Sequence, residues 1–349
     1  MDNKKARLLN MAYDKLTILG DLRTDLHIEK FEEMLIQFGF EKAEYTSRNF
    51  GYKDIFHHKE FGYIEFGDKT RYVEPDKVRL ERNLGRIHRE IELIREGKDD
   101  GTLPPLEVLN SAKDETFGLM EQCDERGFLK RLRDIRFEFN PKYGKYGDNK
   151  KEVSCIQNYI PSLLVKKKVS MIHIAADYEK PIETMMFIDT KRRGECIFRN
   201  DSKKNESIYF GKRGSQLHLL AYNKKAENDE QGTIDQYPDV EHVTRIEARI
   251  KGARIDEVFE GNRNPFEGLK AFNFMNPNNT VLTGMDLIIA TGIQALIKQR
   301  IDPMSGLTKH LKNKYRGLIE SLYRSVVVLE KDFEKEKTRL ASELNRFLK

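Results

Sequence analysis

The chain has 349 residues, of which 38% are hydrophobic and 34% are charged, and it carries a formal net charge of +5. This length corresponds to roughly two average domains and is sufficient to bury a substantial core. No run of about 18 apolar residues occurs, which excludes a membrane-spanning helix, and the first residues lack the apolar segment of a secretory signal. The small positive excess permits a nucleic-acid partner without requiring one.

The three cysteines, Cys123, Cys155 and Cys196, lie far apart and form no CxxC pair. This spacing argues against a disulfide framework and against a zinc ribbon. We therefore expect a protein of a reducing compartment, the cytoplasm.

Apolar periodicity predicts alternating strands and helices in the first part of the chain. They are, in chain order, a strand at 13–19, a helix at 25–38, short strands at 53–57 and 62–66, and a charged helix at 76–97, followed by a linker at 98–105. This order is common among α+β folds.

The rest of the chain is predicted to be rich in strands and to end in helices. The elements are helices at 106–125 and 151–165, strands at 134–140, 169–177, 183–189, 194–199, 207–210, 216–222 and 243–251, a polar loop at 226–241, a hinge at 261–277, and helical segments at 281–300 and 305–349. The prediction is an α+β fold whose antiparallel sheet has helices packed on one face and a polar catalytic face, with a C-terminal helical tail. We expect three parts: 1–100 as the N-terminal part of the body, 101–275 as the catalytic core, and 276–349 as a DNA-recognition or oligomerisation tail.

Side-chain alternation gives four of these strands one apolar face and one polar face. The polar faces carry Arg136, Glu138, His173, Asp177, His218, Tyr222, Arg245, Glu247 and Arg249. A half-solvated antiparallel sheet would show the same pattern. Alternatively, carboxylates with imidazole could form a site for a hard divalent metal, arginines could bind an anionic substrate, and a tyrosine beside the metal could attack phosphorus.

Two segments are basic. One contains KRRG at 191–194 and FGKRGS at 210–215, including Lys212 and Arg213, and the other is 298–316, including Lys309, Lys312 and Lys314. Each is either a set of solvated loops and helix faces or a surface that contacts DNA phosphates. The 210–215 segment lacks the spacing of a Walker A loop, which argues against an ATPase.

Four of these segments together resemble a known family. SIYFGKRGSQLHLLAYNKKAE at 207–227 and TRIEARIK at 244–251 follow IRFEFNP at 135–141 and IHIAAD at 172–177. In this order they resemble the Rep_trans group of rolling-circle plasmid replication initiators and the related relaxases of Gram-positive conjugative elements. The resemblance covers residues 130–255 well, residues 10–70 loosely and the C-terminal tail hardly at all.

The resemblance implies metal-dependent strand transfer on DNA. A tyrosine would attack a phosphodiester at the replication origin, leaving a 5′-phosphotyrosine and a free 3′-OH, with Mg²⁺ or Mn²⁺ at the scissile phosphate. The His-hydrophobe-His motif of other initiators is absent, and the resemblance maps the metal ligands to Glu138, Asp177 and Glu247. His173 stands where the family strand often begins with Asp. Because it lies about 13 Å along the strand from Asp177, we rank Asp177 above His173 as a ligand.

The resemblance also suggests the nucleophile and its neighbours. Tyr222 matches the most regular tyrosine of the family, whereas His218 occupies the position of an earlier tyrosine found in some members, and Tyr209 is the reserve candidate. Tyr222 could instead simply form a hydrogen bond at a sheet edge. The residues expected to contact phosphate or the DNA backbone are Lys224, Lys225, Arg245 and Arg249. The two arginines could instead neutralise carboxylates in a structural ion-pair ladder.

The implied partner is DNA, a plasmid origin that is partly single-stranded, contacted by 281–316. The resemblance implies a homodimer, since initiators of this type are generally dimeric. The amphipathic segment 320–349 could pack back on its own body, or it could serve as a dimer helix or a docking site for a host helicase. Three rival hypotheses stay open: a conjugative relaxase, a non-catalytic DNA-binding regulator on the same scaffold, and an unrelated α+β protein with a charged outer sheet face.

Overall fold

The computed structural model describes residues 5–44, 52–67, 76–98, 103–121, 123, 133–146, 149–192, 195–199, 205–212, 215–231, 235–273, 282–299, 307–323 and 325–349. In these ranges the chain combines antiparallel strands with α-helices and ends in a helix, so the predicted α+β class is confirmed. None of the described helices has both the length and the apolar character needed to cross a bilayer.

The strands and helices are numbered here in chain order. They are β1 (Arg7–Leu22), α1 (Ile28–Gln37), β2 (Glu41–Lys42), β3 (Tyr52–His58), β4 (Gly62–Gly67), α2 (Asp76–Arg95), α3 (Leu106–Glu121), β5 (Ile135–Phe139), α4 (Lys150–Ser162), β6 (Leu164–Glu179), β7 (Met185–Asp189), β8 (Glu195–Arg199), β9 (Asn205–Phe210), β10 (Leu217–Asn223), α5 (Lys224–Gln231), β11 (Val243–Lys251), α6 (Arg254–Phe259), β12 (Leu269–Asn273), α7 (Gly284–Lys298), α8 (Lys309–Tyr323) and α9 (Leu329–Leu348).

The chain divides into two compact units that are interleaved along the sequence. Unit 1 comprises Met1–Leu16, Asn140–Cys155 and Val169–Lys349, and unit 2 comprises Thr17–Phe139 and Ile156–Lys168. Strands β1 and β6 each contribute residues to both units. The division into 1–100, 101–275 and 276–349 stays a prediction.

Unit 2 contains an antiparallel sheet with the strand order β2-β3-β4-β5-β1. Its core is aromatic: Phe66 on β4 lies 5.8 Å from Phe31 on α1 and 5.4 Å from Phe56 on β3, measured between ring centroids. Helices α2 and α3 pack against each other through a small apolar cluster that includes Ile87 and Leu109.

Unit 1 contains the strand order β1-β6-β11-β10-β9-β8, with the pair β12-β7 separate from it. Strand β11 is central, since it pairs antiparallel with β6 on one side and β10 on the other. These three strands carry most of the polar residues singled out in the sequence.

The C-terminal helix α9 packs on its own unit. Its apolar residues Phe333 and Leu340 are fully buried, and Phe333 lies 6.1 Å from Phe266 between ring centroids. The hydroxyl of Tyr13 donates to the carbonyl oxygen of Leu340 at 2.9 Å. The sequence left open whether this C-terminal segment packs on its own body or serves as a dimer helix or docking site. The structure shows that the apolar side of α9 packs on its own body.

Three elements of unit 1 were absent from the sequence interpretation: α5, α6 and β12. Helix α5 begins at Lys224 and extends into the segment expected to be a polar loop. The Asn223 side chain caps this helix, because it accepts hydrogen bonds from the backbone N–H groups of Lys225 and Ala226 at 3.1 and 3.2 Å. Strand β12 lies within the expected hinge and exists through its long-range pairing with β7.

Candidate functional site

The register of β10, β11 and β6 places the predicted polar residues in cross-strand rows. Facing residues share one face of an antiparallel sheet. The rows are Tyr222–Arg245–Asp177, Leu220–Glu247–Ala175 and His218–Arg249–His173. The prediction that these strands present one common polar face is confirmed.

This polar face is buried, and part of it lines a cavity of about 600 Å³. Only 1% of Glu247 and 7% of Tyr222 and of His173 is exposed. The same cavity is lined by Tyr209 and Asp14. Buried polar groups need partners, so the pairing of each side chain limits the role that it can take.

Three of these side chains form a group able to hold a metal ion. The ligand atoms of Asp14, His173 and Glu247 all lie within 4.8 Å of one another. His173 Nδ1 lies 2.8 Å from Glu247 Oε1, and Arg249 Nε donates to the same oxygen at 2.6 Å. Burial opposes ionisation of Glu247, but its hydrogen bonds and charge interactions with His173 and Arg249 outweigh that effect and hold its pKa below the usual range. Two carboxylates with one imidazole suit Mg²⁺ or Mn²⁺ in chemical type.

Asp14 belongs to this metal-capable group but was not among the residues singled out from the sequence. It lies on β1, where its neighbour Tyr13 is buried in the core. Burial disfavours its ionised form, but the Arg245 guanidinium outweighs that effect and lowers the pKa of Asp14. The signal available in the sequence was that Asp14 lies on the face opposite to the apolar Tyr13 in a predicted strand. Only the position of β1 beside β6 in the sheet brings the Asp14 carboxylate to the site.

Asp177, ranked first as a ligand from the sequence, has other partners. Arg245 Nε donates to Asp177 Oδ1 at 2.6 Å and Arg245 Nη2 to Asp177 Oδ2 at 2.7 Å. The Tyr237 hydroxyl donates to Asp177 Oδ2 at 2.8 Å. The remaining Arg245 nitrogen, Nη1, donates to Asp14 Oδ1 at 2.5 Å. This network engages Arg245, which the sequence predicted to contact phosphate or the DNA backbone, in ion pairs with Asp177 and Asp14.

Glu138, the remaining predicted ligand, belongs to unit 2. There it accepts a hydrogen bond from Arg136 Nη2 at 2.5 Å and one from Thr17 Oγ1 at 3.4 Å. Of the four ligands suggested by the resemblance, His173 and Glu247 lie in the metal-capable group, whereas Asp177 and Glu138 are engaged with arginines.

The two candidate tyrosines line the same cavity. The Tyr222 hydroxyl donates to Glu247 Oε2 at 3.4 Å, a long contact. Burial, together with the negative charge of Glu247, raises the pKa of Tyr222 well above its usual value. Tyr209 faces Leu220 across the β9–β10 pair. Lys224 lies with its Nζ 5.9 Å from the Tyr222 ring centroid and also forms an ion pair with Glu227.

The residues predicted to bind DNA are not all available for it. Arg249 lines the cavity with 31% of its side chain exposed. Lys225 pairs with Asp235 at 2.5 Å. Lys212 is exposed after β9, and Arg213 lies outside the described residues.

The three lysines predicted to contact DNA from the tail lie on α8. Lys309 and Lys314 are exposed and Lys312 is half-buried. Their accessibility is compatible with either alternative left open by the sequence, a solvated helix face or a DNA contact.

Two more residues at the polar face have unusual environments. Lys142 lines the cavity. Burial and the positive charges of Lys224 and Arg245 lower the pKa of Lys142 to about 8, although the negative charge of Asp14 acts in the opposite direction. His218 is buried, and its Nδ1 has no hydrogen-bond partner in the part of the chain that the structure describes. Burial, with the charge of Arg249, lowers the pKa of His218 to about 4.

Comparison with known proteins gives relatives of one kind. A replication initiation protein of Staphylococcus aureus is 22% identical over 190 residues, which is 54% of this chain and 55% of the relative. Two further replication initiation proteins of the same organism are 27% and 26% identical over 124 residues, 36% of this chain and 38% of each relative. The predicted resemblance to replication initiators is confirmed. The match covers about half the length of the first relative and less of the others.

No protein-family model matches the chain. Among solved structures, the rolling circle replication initiator protein from Geobacillus stearothermophilus is 12% identical, with a TM-score of 0.35, over 71% of this chain and 77% of that one. The relation to conjugative relaxases stays a prediction.

Proposed function

We propose that this protein initiates rolling-circle plasmid replication by nicking one strand of the origin through Tyr222 in a metal-dependent reaction. The observation that carries the proposal is that Tyr222 lies beside Glu247 in a cavity that is also lined by His173 and Asp14. The sequence similarity to replication initiation proteins supports the biological role.

In the proposed reaction, Tyr222 Oη forms a bond to phosphorus while the bond from phosphorus to O3′ breaks. The products are a 5′-phosphotyrosine and a free 3′-OH. Because its pKa is raised, the phenol enters the reaction protonated, and Glu247 Oε2 is the nearby base that can accept the proton. Lys142, whose pKa is about 8, is still largely protonated at neutral pH and can supply a proton to the departing O3′.

Asp14, His173 and Glu247 are the residues that would hold the metal ion. When bound, Mg²⁺ or Mn²⁺ would provide positive charge that favours the negative charge developing on the phosphate. Arg249 and Lys142 line the same cavity and would bind the phosphate through their own charges.

The decisive test is cleavage of supercoiled plasmid that carries the DNA flanking this gene, with Mn²⁺ or Mg²⁺, resolved on denaturing gels that retain covalent protein–DNA adducts. Wild type and Tyr209→Phe should form the adduct, and Tyr222→Phe should not. An adduct that disappears only in Tyr209→Phe would assign the nucleophile to the other tyrosine. Tight, salt-sensitive binding without nicking by wild type in either metal would favour the non-catalytic regulator instead.

Homodimer formation, helicase docking and a cytoplasmic location belong to the same proposal. Light scattering of the purified protein, alone and with the host helicase, measures the first two. A monomer at micromolar concentration would contradict the proposed dimer without affecting the nicking assay.

A further inference from the structure

Helix α2 in unit 2 carries a row of arginines whose role the proposed chemistry leaves open. Arg79, Arg82, Arg86 and Arg89 are separated by three, four and three residues. Since residues three and four apart are neighbours on a helix surface, these four side chains lie along one side of α2. We refer to them as the arginine row.

The opposite side of α2 is the one that packs. Ile87 and Ile91 are buried against Leu109 of α3, and Ile94 packs against the same cluster. Arg82, Arg86 and Arg89 are exposed, and 68% of the Arg86 side chain is accessible to solvent. The apolar contact with α3 thus fixes the helix while the arginine row stays accessible.

The acidic residues of α2 only partly offset this charge. Glu90 lies 3.8 Å from Arg86 Nε, Glu92 follows Arg89 by three residues, and Arg79 and Arg82 have interaction partners of their own. Over the whole helix, however, six Lys and Arg residues outnumber four Asp and Glu residues. A partly exposed pair such as that of Arg86 with Glu90 is weak, so the carboxylate can give way to a stronger anion.

We infer that the arginine row is a binding surface for duplex DNA, separate from the cavity that holds Tyr222. The ten residue-to-residue steps of helix from Arg79 to Arg89 span about 15 Å, which is similar to the ~12 Å width of the major groove. Guanidinium groups pair well with phosphate oxygens. Single-stranded DNA is recognised largely through stacking on aromatic side chains, and α2 contains no Phe, Tyr or Trp. The inference rests on the proposed function only for the identity of the ligand as DNA.

The test compares two charge-matched double variants of the full chain. Arg82→Gln with Arg89→Gln removes two members of the row, and Lys77→Gln with Arg95→Gln removes two exposed charges of α2 on a different side. Affinity for a fluorescent origin duplex is measured by anisotropy from 50 to 300 mM salt. Loss of two phosphate contacts should make the slope of log K against log[salt] shallower by about 1.8 and weaken binding roughly tenfold or more at 150 mM salt, with much smaller changes in the control pair.

The inference would be overturned if both double variants lost the same affinity, or if the Arg82→Gln, Arg89→Gln variant (the row pair) lost none. It would also be overturned if the row pair lost affinity equally for a single strand of the same sequence. Thermal unfolding of both variants establishes that the fold is retained. The adduct assay separates this inference from the proposed function: the row pair should still form the adduct on a short single-stranded substrate at low salt. Conversely, failure of wild type to form any adduct would leave the difference in salt slope intact.

Discussion

Glu247 and Asp177 are two carboxylates on the same polar face, each with only 1% exposed, yet their surroundings differ. Asp177 receives two hydrogen bonds from Arg245 and one from Tyr237. Glu247 has one oxygen engaged by His173 and Arg249. Within the described residues, the other oxygen receives only the 3.4 Å contact from Tyr222, and Glu247 lines the cavity.

Residue type, burial and sheet face are thus alike for the two carboxylates, and what separates them is their hydrogen-bond partners. Asp177 has the environment of a buried structural ion pair, in which both charges are neutralised and hydrogen-bonded. Glu247 keeps capacity for a further ligand next to a tyrosine. We therefore expect a division of roles, in which the Asp177 region stabilises the fold and the Glu247 region performs the proposed chemistry.

Breaking the Asp177 region should have the largest effect on folding. Arg245→Met leaves the buried carboxylate of Asp177 and the partly buried carboxylate of Asp14 without their guanidinium partner, and we expect the free energy of unfolding to fall by about 3–5 kcal/mol. Arg249→Met, which removes a partly exposed partner of Glu247, should lose only about 1–2 kcal/mol. Urea unfolding measures both, and similar losses in the two variants would contradict the division.

Breaking the Glu247 region should affect chemistry and metal binding. Glu247→Gln keeps the shape but removes a ligand charge, so we expect nicking to fall about 100-fold or more. Mn²⁺ affinity, followed by the electron paramagnetic resonance of the free ion, should weaken roughly tenfold or more. Asp177→Asn is the matched control: it should destabilise the fold yet retain Mn²⁺ affinity, and loss of Mn²⁺ binding there would return Asp177 to the ligand set.

The two tyrosines next to these carboxylates sharpen the same comparison. Tyr237→Phe removes a 2.8 Å hydrogen bond to the buried charge of Asp177 and should cost about 1.5 kcal/mol of stability while adduct formation continues. Tyr222→Phe removes only a 3.4 Å contact and should cost less than about 1 kcal/mol while it abolishes the adduct. The opposite pattern would exchange the roles of the two regions.

Much of this site could be predicted because a strand has a side-chain period of two. Alternation alone put Tyr222, Glu247 and His173 on polar faces, and the register of β10, β11 and β6 places them on one common face. The basic segments and the C-terminal helix likewise followed from local pattern.

What could not be predicted depends on long-range pairing. Asp14 reaches His173 and Glu247 only because β1 lies beside β6, although the two strands are far apart in sequence. The partners of Asp177 include Tyr237, which comes from a connection between elements, so the alternation of strands carried no signal for it. Strand β12 exists through its pairing with β7, which no local pattern indicated.

The smallest expected effect concerns pH and His218, which faces Arg249 in the same row as His173. Burial lowers the pKa of His218 to about 4, whereas an unfolded chain would have a value near 6.5. Between these values the unfolded state binds more protons, so acidification favours unfolding and stability falls as the pH drops from 6.5 to 4. In His218→Gln this contribution is absent, and the decrease in Tm between pH 7 and pH 5 should be smaller by roughly 2 °C. The stabilising contributions of Asp14 and Glu247, whose pKa values are lowered, also decrease in acid. That decrease is the same in wild type and in His218→Gln, so it does not affect the comparison. An unchanged decrease in Tm would mean that His218 holds a proton in the folded state and that its Nδ1 has found a partner.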